Sequence, residues 1–218
     1  MRGPLTSRTE RLSDSPMLRI HHARRARSAR VIWLCEELGL PYELATFEFK
    51  PENLKRPEYL RLHPLGQVPV VEDGGVVLFE SGAILEWLLE KYGAGRLQPA
   101  TGAPERARYL QWFHFGEAGL ARHIGEIVRN RFTRPEAERN AAVVEESRGR
   151  FREALGVVER ELAGKQYVLG GDFSAADIMI GYGIVMARIV GELPEGFPEA
   201  RAYLERLKAR PAYARAWA

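Results

Sequence analysis

The sequence predicts a small α/β domain followed by an all-helical domain. Strand and helix patterns alternate over 17–93, the segment 94–103 has the Gly- and Pro-rich composition of a linker, and helical patterns fill 104–218. The 218 residues, 45% of them hydrophobic, suffice for one large core or two modest ones. Residues 1–16 are polar and lack periodicity, so we expect a flexible leader there.

The α/β domain begins with a strand, a helix and a second strand. LRIHH (18–22) has a strand pattern, and RSARVIWLCEEL (27–38) has a helical pattern that Gly39 ends. YELATF (42–47) follows as the second strand, and a short Pro-punctuated helical stretch covers 54–63. This part therefore predicts a βαβ unit.

A hairpin and a helix complete the first domain. The DGG turn at 73–75 favours a tight connection between VPVVED (68–73) and VVLF (76–79), because glycine accepts positive φ. SGAILEWLLEKY (81–92) predicts an amphipathic helix whose first residue, Ser81, can cap free backbone N–H groups. The order is thus βαβ followed by ββα.

The second domain is predicted to be all-α, since no convincing strand pattern follows the linker. Its helical patterns run through about 105–130, 135–163, 175–190 and 199–209. FSAADI (173–178) has the form of a capping box, which gives Ser174 and Asp177 a role in folding rather than in catalysis.

Charge and composition exclude several classes of protein. The net charge is +3, and the arginines that crowd the first thirty residues lack the groove-like repetition and interleaved aromatics of nucleic-acid binders, so a basic mouth beside an anionic small ligand is favoured. No apolar run is long enough to cross a membrane, and the start lacks a signal-peptide centre. We expect a soluble cytoplasmic protein that binds neither nucleic acid nor a membrane.

The segment NLKRPEYLRLHPLGQVPVVEDGGVVLFESGAILEWLLEKY (53–92), with its VP and ES pairs, resembles the glutathione-binding segment of cytosolic glutathione S-transferases. Together with the element order, the resemblance extends from Met17 nearly to the end of the chain. It implies a thioredoxin-like N-terminal domain and an all-α C-terminal domain, which is the glutathione-transferase fold. It also implies glutathione as cosubstrate. No metal is expected, because His21 and His22 have no further ligand at a suitable spacing. We expect a homodimer with a two-fold axis, because the aromatic helix at 106–128 and the helix from Ser81 present more apolar surface than one small domain can bury, and the family usually pairs there.

The resemblance implies that the QVP segment holds the glutathione backbone. A cis bond between Val68 and Pro69 would turn the Val68 N–H and C=O toward the ligand, whose cysteinyl unit can pair like an added strand. Gln67 and Lys55 would hold the tripeptide backbone and its glycyl carboxylate. For Lys55, a solvated surface lysine is an open alternative.

The ES pair is expected to hold the zwitterionic γ-glutamyl end of glutathione. Glu80 and Ser81 stand at a helix start, where free N–H groups and the helix dipole favour an anion, while Glu80 can meet an ammonium group. A role for Ser81 as a helix cap alone stays open.

Ala26 occupies the position where many family members carry the thiol-activating hydroxyl or cysteine. A methyl group can neither donate a hydrogen bond to a thiolate nor form a mixed disulfide. The predicted catalytic residues are therefore Ser28 and Arg27, helped by the positive helix start, although Ser28 could equally be an ordinary first-turn serine. Cys35 lies about 13 Å along the helix from Ala26, on its apolar face, and is expected to be a buried hydrophobe.

The aromatic helix at 106–128 supplies the predicted pocket for the second substrate. The family builds this pocket partly from that helix, so Trp112 and Phe115 are expected to face an apolar electrophile. Core or dimer contacts are an open alternative for both residues.

Three functions are consistent with these features. The leading hypothesis is a glutathione transferase that stabilises the thiolate and directs it at an apolar electrophile. The second is a glutathione-dependent disulfide or peroxide reductase, which would use bound glutathione alone. The third is a non-catalytic binding protein of the same fold, for which Ala26 is the best support.

Overall fold

The computed structural model describes residues 18–218, so the predicted leader at 1–16 lies outside the described residues. The first half contains four strands, β1 (Leu18–Ala23), β2 (Tyr42–Phe47), β3 (Val70–Asp73) and β4 (Val76–Phe79). Its helices are α1 (Ser28–Leu38), α2 (Pro51–Leu54), α3 (Pro57–Leu60) and α4 (Ser81–Tyr92). The helical stretch expected at 54–63 is thus replaced by two short helices.

The four strands form one mixed sheet in the order β2-β1-β3-β4. β1 pairs with β2 in parallel, whereas β3 is antiparallel to both β1 and β4. The two-residue turn between β3 and β4 places Gly74 at φ 58° and Gly75 at φ 88°, values that favour glycine because it lacks a Cβ. The predicted order of elements in this half is confirmed.

The second half is helical. Its helices are α5 (Glu105–Phe115), α6 (Arg122–Val128), α7 (Ala141–Leu162), α8 (Ala175–Ile189), α9 (Pro198–Lys208) and α10 (Pro211–Ala216). π-helical segments at Gly116–Ala121 and Arg129–Thr133 interrupt the continuous helix expected over 105–130, and α10 was not predicted. The predicted fold class, an α/β domain followed by a helical domain, is confirmed.

The two halves share one hydrophobic core. Trp33 of α1 is fully buried, and its ring lies 5.3 Å from that of Tyr213 in α10. A Cβ at Gly181 of α8 would lie 2.7 Å from Leu207 Cδ1 of α9 and 3.4 Å from the Trp33 ring, so a glycine there leaves room for both side chains. Cys35 lies in the same core, as predicted, and burial raises the pKa of its thiol to about 12.

The predicted capping box begins α8. The Ser174 N–H donates to Asp177 Oδ2 at 2.8 Å, and the fully buried Asp177 also accepts a 2.8 Å bond from the Tyr203 hydroxyl of α9. This confirms that Asp177 stabilises the helical core. Among residues 18–218, no helix combines the length and the apolar character needed to cross a membrane.

Candidate functional site

A cleft of about 910 Å³ opens between the two halves of the molecule. One wall comes from the loop after β1, the segment that enters β3, and the residue before α4. The other comes from the helical half, from Glu117 in the first π-helical segment through α6 to Thr133, and from α8. Its size lies within the range of about 300–1,000 Å³ typical of small-molecule sites.

The QVP segment lines the first wall. Gln67, Val68 and Pro69 all border the cleft, and the Val68–Pro69 peptide bond is cis, as predicted. The Tyr59 hydroxyl of α3 donates to the Gln67 carbonyl oxygen at 2.6 Å, which ties the segment to the body of the domain. A backbone edge is therefore held at the cleft in a fixed position.

Glu80 occupies the N-cap position of α4 and borders the cleft. Its φ of 73° is unusual for a residue with a side chain and costs about 1–3 kcal/mol, a form of strain that clusters at functional sites. The first N–H groups of α4 have no partner within the helix. This end of the cleft can thus accept an anion beside the Glu80 carboxylate.

Ser81 lies just behind this wall and does not border the cleft with its side chain. It is 4% exposed, and its hydroxyl accepts a 2.9 Å hydrogen bond from Arg30 Nη1. The expected cap from the Ser81 hydroxyl is wrong, because Ser81 is the first helical residue and Glu80 holds the cap position. Lys55 is exposed outside the cleft, where its Nζ donates to the Leu65 carbonyl at 2.6 Å.

The structure corrects the expectation that Ser28 faces the reacting thiol. Its side chain is fully buried, and its hydroxyl lies 2.8 Å from His22 Nδ1 and 3.3 Å from the Ala23 carbonyl. These contacts hold the end of β1 against the start of α1. Ala26 and Arg27 line the cleft, whereas Ser28 does not.

The structure also corrects the expectation that Trp112 faces the second substrate, and Phe115 is half-buried beside it rather than in the cleft. Trp112 is only 2% exposed, its ring lies 5.5 Å from that of Phe115, and neither residue borders the cleft. Trp112 is buried because α5, the helix that carries both residues, packs closely on α8. A Cβ at Gly116 would lie 2.5 Å from the Met179 carbonyl carbon, so the aromatic face turns into the core.

Two arginines of the first half converge on Glu117. The Arg27 Nε lies 3.0 Å from both carboxylate oxygens of Glu117, and Arg27 Nη2 donates to Oε1 at 2.6 Å. The fully buried Arg30 donates from Nη1 to Glu117 Oε2 at 2.5 Å, and its guanidinium lies 4.3 Å from the Tyr182 ring centroid. We call these three charged residues the Arg27–Glu117–Arg30 triad.

The triad leaves a net positive charge beside Ala26. Burial raises the pKa of Glu117, but the hydrogen bond from Arg27 and the charges of Arg30 and Arg27 outweigh it and lower this pKa to about 2. Glu117 is therefore ionised at neutral pH and offsets one of the two guanidinium charges. Arg27, whose side chain is 36% exposed, presents charge to the cleft at the start of α1.

The sequence did not predict most of the residues that form the helical wall of the cleft. Glu117 is 90 residues from Arg27, and no spacing in the sequence connects them. The apolar residues of this wall are Ile124, Val128, Phe132, Tyr182, Met186, Ile189 and Val190. Among residues 18–218, no group of His, Cys, Asp and Glu has a geometry that could hold a metal ion.

Two family models match the chain. The model for the N-terminal domain of glutathione S-transferase matches residues 16–90, and that for the C-terminal domain matches residues 141–206. Glutathione S-transferase 3 of Schizosaccharomyces pombe is 30% identical over 207 residues, which cover 90% of this chain and 85% of the relative. Glutathione S-transferase 1 of Triticum aestivum is 32% identical over 213 residues, or 92% and 93% of the two chains.

Solved structures give the same result. The glutathione transferase URE2P6 from Phanerochaete chrysosporium, in complex with oxidized glutathione, superposes with a TM-score of 0.82 at 26% identity and covers 94% of this chain and 97% of its own. The theta class glutathione S-transferase of Xanthomonas axonopodis pv. citri, with glutathione bound, gives a TM-score of 0.78 at 31% identity over 92% and 97% of the two chains.

Proposed function

Because this chain belongs to the glutathione S-transferase family, we propose that it is a glutathione transferase that stabilises the glutathione thiolate for attack on an electrophile with an apolar body. The observation that carries the proposal is the cleft itself. The backbone of the QVP segment lines one wall, an apolar surface lines the other, and the charge of Arg27 lies between them.

We propose that glutathione binds along the first wall. The Val68 backbone pairs with the cysteinyl unit, and Gln67 holds the tripeptide beside it. The γ-glutamyl carboxylate lies at the start of α4 on the N–H of Ser81, and the Glu80 carboxylate meets the ammonium group. Lys55 reaches the glycyl carboxylate only if it leaves the Leu65 carbonyl, which makes it the least supported member of the site.

Thiolate stabilisation is assigned to Arg27 and the start of α1, in place of Ser28. A positive charge near the sulfur favours the ionised thiol, and a pKa lower by one unit corresponds to about 1.4 kcal/mol. Arg27 can supply this because Glu117 fixes its guanidinium by a bidentate ion pair at the cleft. Ala26 contributes only the space in which the sulfur lies.

The test measures the pH dependence of chlorodinitrobenzene conjugation together with the pKa of bound glutathione. Arg27→Met is expected to raise the thiol pKa by about one unit and to reduce turnover at neutral pH accordingly. Arg27→Lys keeps the charge and is expected to retain most of the activity. Arg152→Met, at an exposed position of α7 outside the cleft, is the control for a general loss of positive charge.

An unchanged thiol pKa in Arg27→Met would contradict the assignment of Arg27. Strong glutathione binding without turnover of any electrophile would instead support a non-catalytic binding protein. Absence of glutathione binding would overturn the enzymatic proposals altogether.

Disulfide reduction is the second candidate function, supported by the similar solved structure that holds oxidized glutathione. In this reaction the bound thiolate attacks a disulfide sulfur, the substrate S–S bond breaks, and one substrate thiolate leaves with the electron pair. A second glutathione then resolves the mixed disulfide. Activity toward hydroxyethyl disulfide but not toward chlorodinitrobenzene would favour this function.

We further propose that the protein is a cytoplasmic homodimer with domains at 17–93 and 104–218 joined by the linker at 94–103. β4 is an edge strand whose Val77 and Phe79 are 44% and 40% exposed, a surface that a second copy could cover. Three aromatic residues of α5, a helix that the sequence suggested for the dimer contact, are buried within the chain: Tyr109, Trp112 and Phe113.

A further inference from the structure

The helical wall of the cleft combines apolar side chains with arginines. Arg122 and Arg129 are exposed, border the cleft, and lie seven residues apart, which places them on the same face of a helix about 10 Å from each other. Ile124 and Val128 border the cleft between them. This wall therefore offers both apolar contact and positive charge.

Within the described part of the chain, these guanidinium groups have no carboxylate partner. Among the described residues, no Asp or Glu oxygen lies within 4.0 Å of the guanidinium nitrogens of Arg122 or Arg129, or of Arg24 and Arg25 in the loop after β1. Glu126, on the same wall, is likewise not paired with Arg122 or Arg129. The Arg27–Glu117–Arg30 triad adds one further positive charge at the boundary between the walls.

The proposed glutathione contacts do not use the arginines of the helical wall. The proposed glutathione contacts lie on the first wall, and its sulfur lies near Ala26 and Arg27. Gly125 faces Arg27, since a Cβ there would lie 3.5 Å from Arg27 Nη2. The helical face that bears Arg122 of α6 and Arg129 of the following π-helical segment is thus next to the reacting thiolate. It lies on the side from which the second substrate must approach.

We propose that the second substrate is an amphipathic acid, an electrophile whose apolar body packs on α6 and α8 while its carboxylate pairs with Arg122 or Arg129. This inference rests on the proposed function and names its substrate class. Arginine suits the role because its planar guanidinium binds a carboxylate through two parallel hydrogen bonds.

A chlorodinitrobenzoate serves as the model substrate. The glutathione thiolate attacks the ring carbon that bears chlorine, the C–S bond forms, the C–Cl bond breaks, and chloride leaves with the electron pair. The thiol proton passes to solvent. The matched neutral substrate is the chlorodinitrobenzamide, which differs only in carrying an amide in place of the carboxylate.

The decisive measurement is the affinity of the two glutathione conjugates, prepared without enzyme, by titration calorimetry. At about 0.01 M salt the benzoate conjugate is expected to bind about fivefold more tightly than the benzamide conjugate, and at about 1 M salt the ratio falls toward one. In the double variant Arg122→Gln with Arg129→Gln, the two conjugates are expected to bind with equal affinity, and the benzamide conjugate still binds. Arg152→Gln, outside the cleft, leaves the ratio unchanged.

The other possible results distinguish an error in the substrate class from an error in the proposed function. Equal affinity of the two conjugates in the wild type overturns the substrate class and leaves the proposed function intact. A ratio that survives the double substitution also overturns it. If the double substitution weakens the binding of oxidized glutathione but of neither conjugate, the arginines bind a carboxylate of a second glutathione. This result again contradicts the proposal. If neither conjugate binds, the proposed function itself fails.

Discussion

Glu117→Gln is expected to destabilise the protein by removing the charge that Arg27 and Arg30 share. The substitution keeps the shape of the side chain but replaces a carboxylate oxygen with an NH₂ group, which cannot accept from Arg30. The loss of this carboxylate leaves the Arg30 charge without compensation, because the Arg30 side chain is completely buried. Its Nε and Nη2 atoms have no partner among the described residues.

The magnitude follows from the pKa of Glu117. A lowering from the usual 4.5 to about 2 corresponds to about 3 kcal/mol of stability at neutral pH. Because 36% of the Glu117 side chain is exposed, solvent screening reduces this to about 2 kcal/mol. The contribution is present in full above pH 4.5 and is lost as the pH falls from there to about 2, because the folded protein holds this carboxyl ionised more strongly than the unfolded chain does.

Urea unfolding across this pH range tests the reasoning. The wild type should lose stability below pH 4.5 more steeply than Glu117→Gln, with equal m-values. The double variant Arg30→Met with Glu117→Gln should be more stable than the sum of the single effects predicts, since no buried charge is then left without a partner. A cost below about 0.5 kcal/mol for Glu117→Gln, or strict additivity in the double variant, would refute the argument.

Three further predictions concern the site and the assembly. Ser28→Ala should cost about 1 kcal/mol in unfolding experiments and leave the pKa of bound glutathione unchanged, because its hydroxyl bonds to His22 and the end of β1; a shifted thiol pKa would count against this. Ser81→Ala should weaken glutathione binding by about 1–2 kcal/mol in calorimetry, and unchanged affinity would show that the Arg30–Ser81 contact does not support the site. Light scattering at micromolar concentration should give twice the 24.7 kDa of one chain, whereas a mass near 24.7 kDa would contradict a homodimer.

Local patterns were enough to predict most of the elements and the chain segments of the first wall of the cleft. The hairpin at 73–75, the helix Ser81–Tyr92 and the capping box at Ser174 depend on residues a few positions apart, and the structure has all three. The QVP segment and its cis bond were expected from the resemblance to the family, and they too lie within one short stretch of chain. Such features are encoded by backbone preference and side-chain spacing over one or two turns of chain.

Which side chains meet in the cleft depends on tertiary packing, which local sequence patterns do not reveal. Ser28 is one residue from Arg27, yet packing against His22 turns it into the core while Arg27 reaches Glu117 across 90 residues of sequence. Likewise, Gly116 lets the end of α5 pack directly on α8, which buries Trp112 and leaves α6 to form the opposite wall. Helical periodicity determines that an apolar face exists, but which neighbour covers it is set by the packing of the whole core.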